Sequence, residues 1–178
     1  MTEHITPLTF ILEVLPENPS DADPALVSAL GRDISDLIRV QGETVEPIYT
    51  GERGGKFLAQ VATLLTTAWE QRETILGNLS AAVSTLTALV ETARRLRQVY
   101  ERRVGKYLAQ QHPLAITIEL HDITMKVEVT DRKSAVEIAT ELAQHLQVES
   151  IEGQTSTRVS TPAKIRAEVP KRPTRKRR

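Results

Sequence analysis

Cysteine is absent from this chain, which excludes disulfides, thiolate metal sites and cysteine nucleophiles together. Aromatic residues make up only 3 %. A core must therefore be assembled from Leu, Val, Ile and Ala, and there is little material for the base-stacking platforms that read single-stranded nucleic acid. Long hydrophobic runs are missing too. The apolar stretch near the start, "TPLTFILEVL", has no basic flank before it, is too short to span a bilayer and is unlike a signal peptide. The expectation is a soluble, cytoplasmic protein with no membrane partner. Net charge is formally zero, but it is unevenly distributed. From Gln147 onward nine Lys and Arg residues face three acids, so an acidic body carries a basic tail.

What is present is apolar periodicity. Thr6 to Leu15 is rich in apolar and β-branched residues and closes at Pro16, which predicts a first strand. Asp23 then stands where it can cap a helix, with Pro24 at the first helical position. Leu26, Leu30, Ile34, Leu37 and Ile38 recur at helical spacing until Gly42. "ETVEPIYT" predicts a short second strand, at an edge or bulged because Pro47 cannot donate a ladder hydrogen bond. From Phe57 to Leu108 no proline occurs, and steps of three and four dominate: Leu58, Val61, Leu65 and Trp69 early, Leu79, Val83, Leu86 and Val90 later. This spacing predicts a long helical segment over about residues 56–111. Either one extended helix or a hairpin of two broken at Gly77-Asn78 fits it.

"AITIEL" and "ITMKVEVT", separated by His121-Asp122, alternate apolar and polar residues and predict a β-hairpin. Ser134 and Glu137 form a capping box ahead of a last helix whose buried stripe is Ala135, Ile138, Leu142 and Leu146. After Leu146 the composition turns to Ser, Thr, Pro and charge, which reads as disordered. The fold class expected is α+β. A small, mostly antiparallel sheet of about four strands carries helices on one face. The domain runs over residues 1–146, with a helical insertion at about 56–111 and a basic tail from 147 to 178.

The stretch "YTGERGGKFLAQ" invites a nucleotide reading. A phosphate loop needs G-x-x-x-x-G-K-[ST], so that backbone N–H groups wrap the phosphates and a hydroxyl meets the metal. Gly55-Lys56 fits that core, but position 50 is Thr and position 57 is Phe. The stretch reads as a turn that launches a helix, with Lys56 solvated. The four histidines, His4, His112, His121 and His145, fall in separate elements without metal-ligand spacing. Glu13, Glu46 and Asp122 read as solvated acids beside strands. No catalytic, cofactor-binding or metal-binding residue is assigned, and no cofactor is expected.

Two basic clusters remain. Arg94, Arg97 and Arg102 lie within "ARRLRQVYERRVGK", and Lys171, Arg172, Arg175, Lys176, Arg177 and Arg178 close the chain. They support an alternative function, contact with nucleic acid through phosphates. The preferred expectation is a non-enzymatic protein-interaction module. Its apolar helical stripe exceeds what a small sheet can cover, which predicts a protein partner, by self-association along Leu79, Val83, Leu86 and Val90.

The succession "LTFILEV", "ALVSALGRDISDLI", "GGKFLAQVATLL", "ETARRLR", "AITIEL" with "MKVEV", and "SAVEIATELA" resembles the layout of the small effector-associated constant components of bacterial conflict systems. The resemblance covers about residues 6–146 and implies a non-enzymatic adaptor beside an effector. It carries over no catalytic residue.

Overall fold

The computed structural model of the protein describes residues 4–21, 23–51, 55–67, 77–120, 123–130, 132–152 and 162–171. Strand β1 (His4–Pro16) leads through a short 3-10 turn into helix α1 (Pro24–Val40). The Asp23 side chain accepts from Leu26 N–H at 3.1 Å, and Pro24 opens the first turn. At the other end Gly42, at φ 81°, donates its N–H to the Arg39 carbonyl at 3.0 Å. Both helix limits follow the residues that marked them in the sequence.

Strands β2 (Thr44–Gly51) and β3 (Lys56–Thr67) come next. The register shifts between Pro47 and Tyr49, and β2 is an edge strand, as the proline required. Gly55 sits at φ 59° directly before β3; it belongs to a turn, but the turn launches a strand. The expected helix over the first part of 56–111 is therefore corrected. Phe57, Ala59 and Val61 are buried at every second position while Lys56 and Gln60 are exposed. Leu58, Val61 and Leu65 keep the helical spacing while Phe57, Ala59 and Val61 keep the strand period, and pairing with β1 on one side and β2 on the other decided for the strand.

Helix α2 (Gly77–Val104) begins at the expected Gly77-Asn78 break, and α3 (Lys106–Gln111) follows after Gly105, at φ 93°. Strands β4 (Ala115–Leu120) and β5 (Ile123–Val127) form the expected antiparallel hairpin; His121 and Asp122 lie outside the described residues. The capping box ahead of α4 (Ala135–Glu152) is formed. Ser134 N–H donates to Glu137 Oε2 at 2.6 Å, and Glu137 N–H donates to Ser134 Oγ at 3.2 Å.

The chain does not end as a tail at residue 146. α4 runs on to Glu152, and Ala163–Val169 forms strand β6 at the centre of the sheet. Residues 172–178 lie outside the described residues. The sheet has six strands rather than four, in the order β2-β3-β1-β6-β4-β5, and it is mixed. β1 and β6 run parallel; the other pairs are antiparallel. Two split β-α-β units, β1-α1-β2 around β3 and β5-α4-β6 around β4, thus meet along β1 and β6.

Alternate strand residues on one face join a single core: Val45, Phe57, Ala59 and Val61, then Phe10, Leu12 and Val14, then Ile165, Ile116, Ile118, Met125 and Val127. The same core takes in Leu30 and Ile34 of α1, Leu86 to Tyr100 of α2 and Ile138 to Leu146 of α4. The helices therefore cover one face of the sheet, and among the described residues no element covers the other. At Gly31 a Cβ atom would run into the ring of Phe57, so that glycine lets α1 approach β3.

Candidate interaction surface

Residues of the opposite parity build the uncovered face. At its middle stands Glu13 of β1, only 3 % exposed although it points away from the helices. Register explains its company: Glu13 is opposite Arg166 on β6 and Leu58 on β3, and Lys164 is opposite Glu119 on β4. Lys56 Nζ stands 2.5 Å from Glu13 Oε1, Arg166 Nε donates to Oε2 at 2.9 Å, and Lys164 Nζ lies at 3.7 Å. Glu119 closes the cluster at 3.6 Å from Arg166 and 3.8 Å from Lys164. Burial pushes the Glu13 carboxyl upward. The hydrogen bonds from Lys56 and Arg166, with the charges of Lys56 and Lys164, outweigh burial and hold it below the ordinary carboxylate range. A carboxylate held ionised in this way is a structural counter-ion and a poor general base at neutral pH.

Glu13 is thus not the solvated acid that its place beside a strand suggested, nor is Lys56 a solvated residue on a helix. Lys164 and Arg166 were assigned to the tail. The signal that could have placed them is "AKIRAEV" between Pro162 and Pro170, where Ala163, Ile165, Ala167 and Val169 are buried at every second position. Around the cluster the face carries half-buried Ile11, Leu15 and Leu58, exposed Gln60, Thr124, Lys126 and Glu46, and half-buried Thr117 and Glu168. None of these is aromatic.

The arginines of α2 are used within the chain. Arg94 donates to the Lys133 carbonyl at 3.1 Å, Arg95 reaches Glu43 at 3.4 Å, and Arg97 donates to Glu101 at 2.8 Å and to the Val129 carbonyl. Arg103 donates to both oxygens of Asp33, at 2.5 and 2.8 Å. This pairing depresses the Asp33 carboxyl and raises the guanidinium. The helix thus ties α1 and the loop before β2 to the segments after β5 and before α4. Of Arg94, Arg97 and Arg102, only Arg102 is exposed. Lys171 is exposed as well, and Arg172, Arg175, Lys176, Arg177 and Arg178 lie outside the described residues.

Of the expected seam, Leu86 and Val90 are fully buried in the chain's own core and Val83 packs against it. The Leu79 side chain is outside the described residues. The sheet and α4 cover this stripe, so an intermolecular seam through Leu86 and Val90 would require the core to open. A cleft of about 650 Å³ lies between the end of α2, α3 and the segment after β5. Tyr100 in its wall already donates its hydroxyl to the His112 carbonyl at 2.9 Å, and burial raises its pKa. Arg97 is committed to Glu101 and Val129.

Among the described residues no group of His, Asp or Glu is placed to hold a metal ion, and no helix is long and apolar enough to cross a membrane. No family model, curated protein or solved structure matches the chain.

Proposed function

We propose that this protein is a non-enzymatic interaction module whose docking surface is the uncovered face of the six-stranded sheet. The observation that carries the reading is the one-sided covering of that sheet. A face spanning six strands lies open among the described residues, with aliphatic side chains at its centre and an ion cluster that holds its charged side chains in place. Preorganised, partly apolar and mixed-charge surfaces suit protein recognition, because little side-chain entropy is lost on docking. The layout resemblance to effector-associated constant components adds an effector protein as the partner class.

The nucleic-acid alternative has less behind it. Four arginines of α2 are engaged within the chain, and the sheet face carries acids that repel phosphate.

Affinity capture from the native host with the full-length chain, beside Leu58→Lys and Lys126→Glu, tests the reading. A protein held by the wild type and lost with both variants is expected. A partner retained by both variants but lost on replacing Arg102 and Lys106 would move the interface to the helical layer and overturn it.

A further inference from the structure

The described strand residues of the uncovered face sum to zero charge. They supply Lys56, Lys126, Lys164 and Arg166 against Glu13, Glu46, Glu119 and Glu168. A face of one sign repels its own copy, whereas a face with equal numbers of both signs can meet itself. The strand register fixes where these side chains stand. Ile11, Gln60, Lys164 and Glu119 share one level across the strands. Leu58, Glu13, Arg166, Thr117 and Lys126 share the next, and Leu15, Glu168 and Ala115 the one beyond.

Resting on the docking reading above, we infer that this face is the interface between two copies of the chain, related by a two-fold axis crossing the strands at the level of Glu13. Such an axis lays Leu58 on Leu58, Ile11 on Leu15 and Lys164 on Glu168 of the second copy, matching apolar with apolar and cation with acid. Glu13, Arg166 and Lys126 also meet their own counterparts. Glu13 and Arg166 are already neutralised within the chain, Arg166 by Glu13 and Glu119 and Glu13 by three cations, so their approach is screened. Lys126 stands exposed on the edge strand β5, where solvent and salt screen it.

Two further observations favour a second copy. Six strands about 4.8 Å apart and about 20 Å long offer roughly 500 Å² of flat area before side-chain corrugation, on the scale of the ~800 Å² per partner in a standard stable interface. Both sheet edges are blunted against strand addition. β2 carries Pro47 and a register shift, while β5 is only five residues long and carries Lys126. Face-to-face packing is the sheet contact left to the molecule.

Sedimentation equilibrium of the full-length chain across the micromolar range tests this inference. The wild type is expected at twice 19.8 kDa. Leu58→Lys puts like charges on the axis while leaving the added cation beside its own Glu13. Glu168→Lys faces Lys164 of the copy. Each is expected to weaken the dimer by about tenfold or more with unchanged far-UV circular dichroism. If Leu58→Lys does not fold, Glu168→Lys decides alone. A wild-type monomer at every concentration, or a dimer unaffected by the folded variants, overturns the inference. The docking reading is judged separately, by whether a foreign partner is lost with the face variants in the capture experiment.

Discussion

The two faces of the sheet are held by different physics. On the covered face Phe10, Leu12, Val14 and Ile165 meet the helices and are removed from water, and each fully buried large aliphatic contributes about 1.5–3 kcal/mol through burial alone. On the other face the same strands carry Glu13, Lys56, Lys164 and Arg166, arranged by charge around one sequestered carboxylate. Apolar burial supplies stability in bulk. The ion cluster is worth less, because its cations remain partly hydrated, but it fixes the side chains that the open face presents. The comparison predicts that stability and recognition separate by face.

Its largest expected breach is on the covered side. Leu12→Ala or Ile165→Ala should each cost about 2–5 kcal/mol in urea unfolding, since neither site borders solvent. Gly31→Val should cost about 1–3 kcal/mol by forcing Phe57 from its place against α1. Near-neutral results at all three positions would show that the helices do not pack on this face.

Glu13→Ala is expected to cost less, about 1–2 kcal/mol, because the three cations it abandons can turn to water. Acid should reproduce the effect. The folded-state pKa of Glu13 lies below its unfolded value, so its contribution is complete above the unfolded pKa and is lost as pH falls through the folded one. Stability of the wild type should therefore decline toward acid more steeply than that of Glu13→Gln. Parallel acid limbs for the two proteins would remove the cluster from the stability account.

The smallest effect belongs to the rim of the open face. Lys126→Glu, at an exposed position, should change unfolding free energy by no more than about 0.5 kcal/mol, while association through the face drops. A loss of stability there larger than at Glu13 would invert the comparison.

Much of the covered face was legible in the sequence, and most of the open face was not. Local signals, namely the Asp23 cap, Pro47 at an edge, the 116–127 hairpin and the Ser134–Glu137 box, stand within a few residues of what they specify, and each appears in the structure. β3 was misread because Leu58, Val61 and Leu65 keep the helical spacing while Phe57, Ala59 and Val61 keep the strand period, and β1, whose pairing decides between them, is distant in sequence. β6 was missed because alanine at positions 163 and 167 marks a buried stripe only weakly when every second residue is charged. The Glu13 cluster joins residues 13, 56, 164 and 166, and nothing local to any of them announces the others. The α2 arginines invited a phosphate-binding reading because their partners, Asp33, Glu43, Val129 and Lys133, come from four separate segments.

The account's central claim, that the molecule meets its partner through the uncovered face and not through its helices, is tested most directly by lysine acetylation followed by mass spectrometry at low and high protein concentration. Lys56, Lys126 and Lys164 stand on the open face, and Lys106 and Lys133 on the helical side. Protection that grows with concentration at Lys56, Lys126 and Lys164, with Lys106 and Lys133 reacting unchanged, is the predicted result. Protection confined to Lys106 and Lys133, with the sheet-face lysines reacting equally at both concentrations, would contradict it.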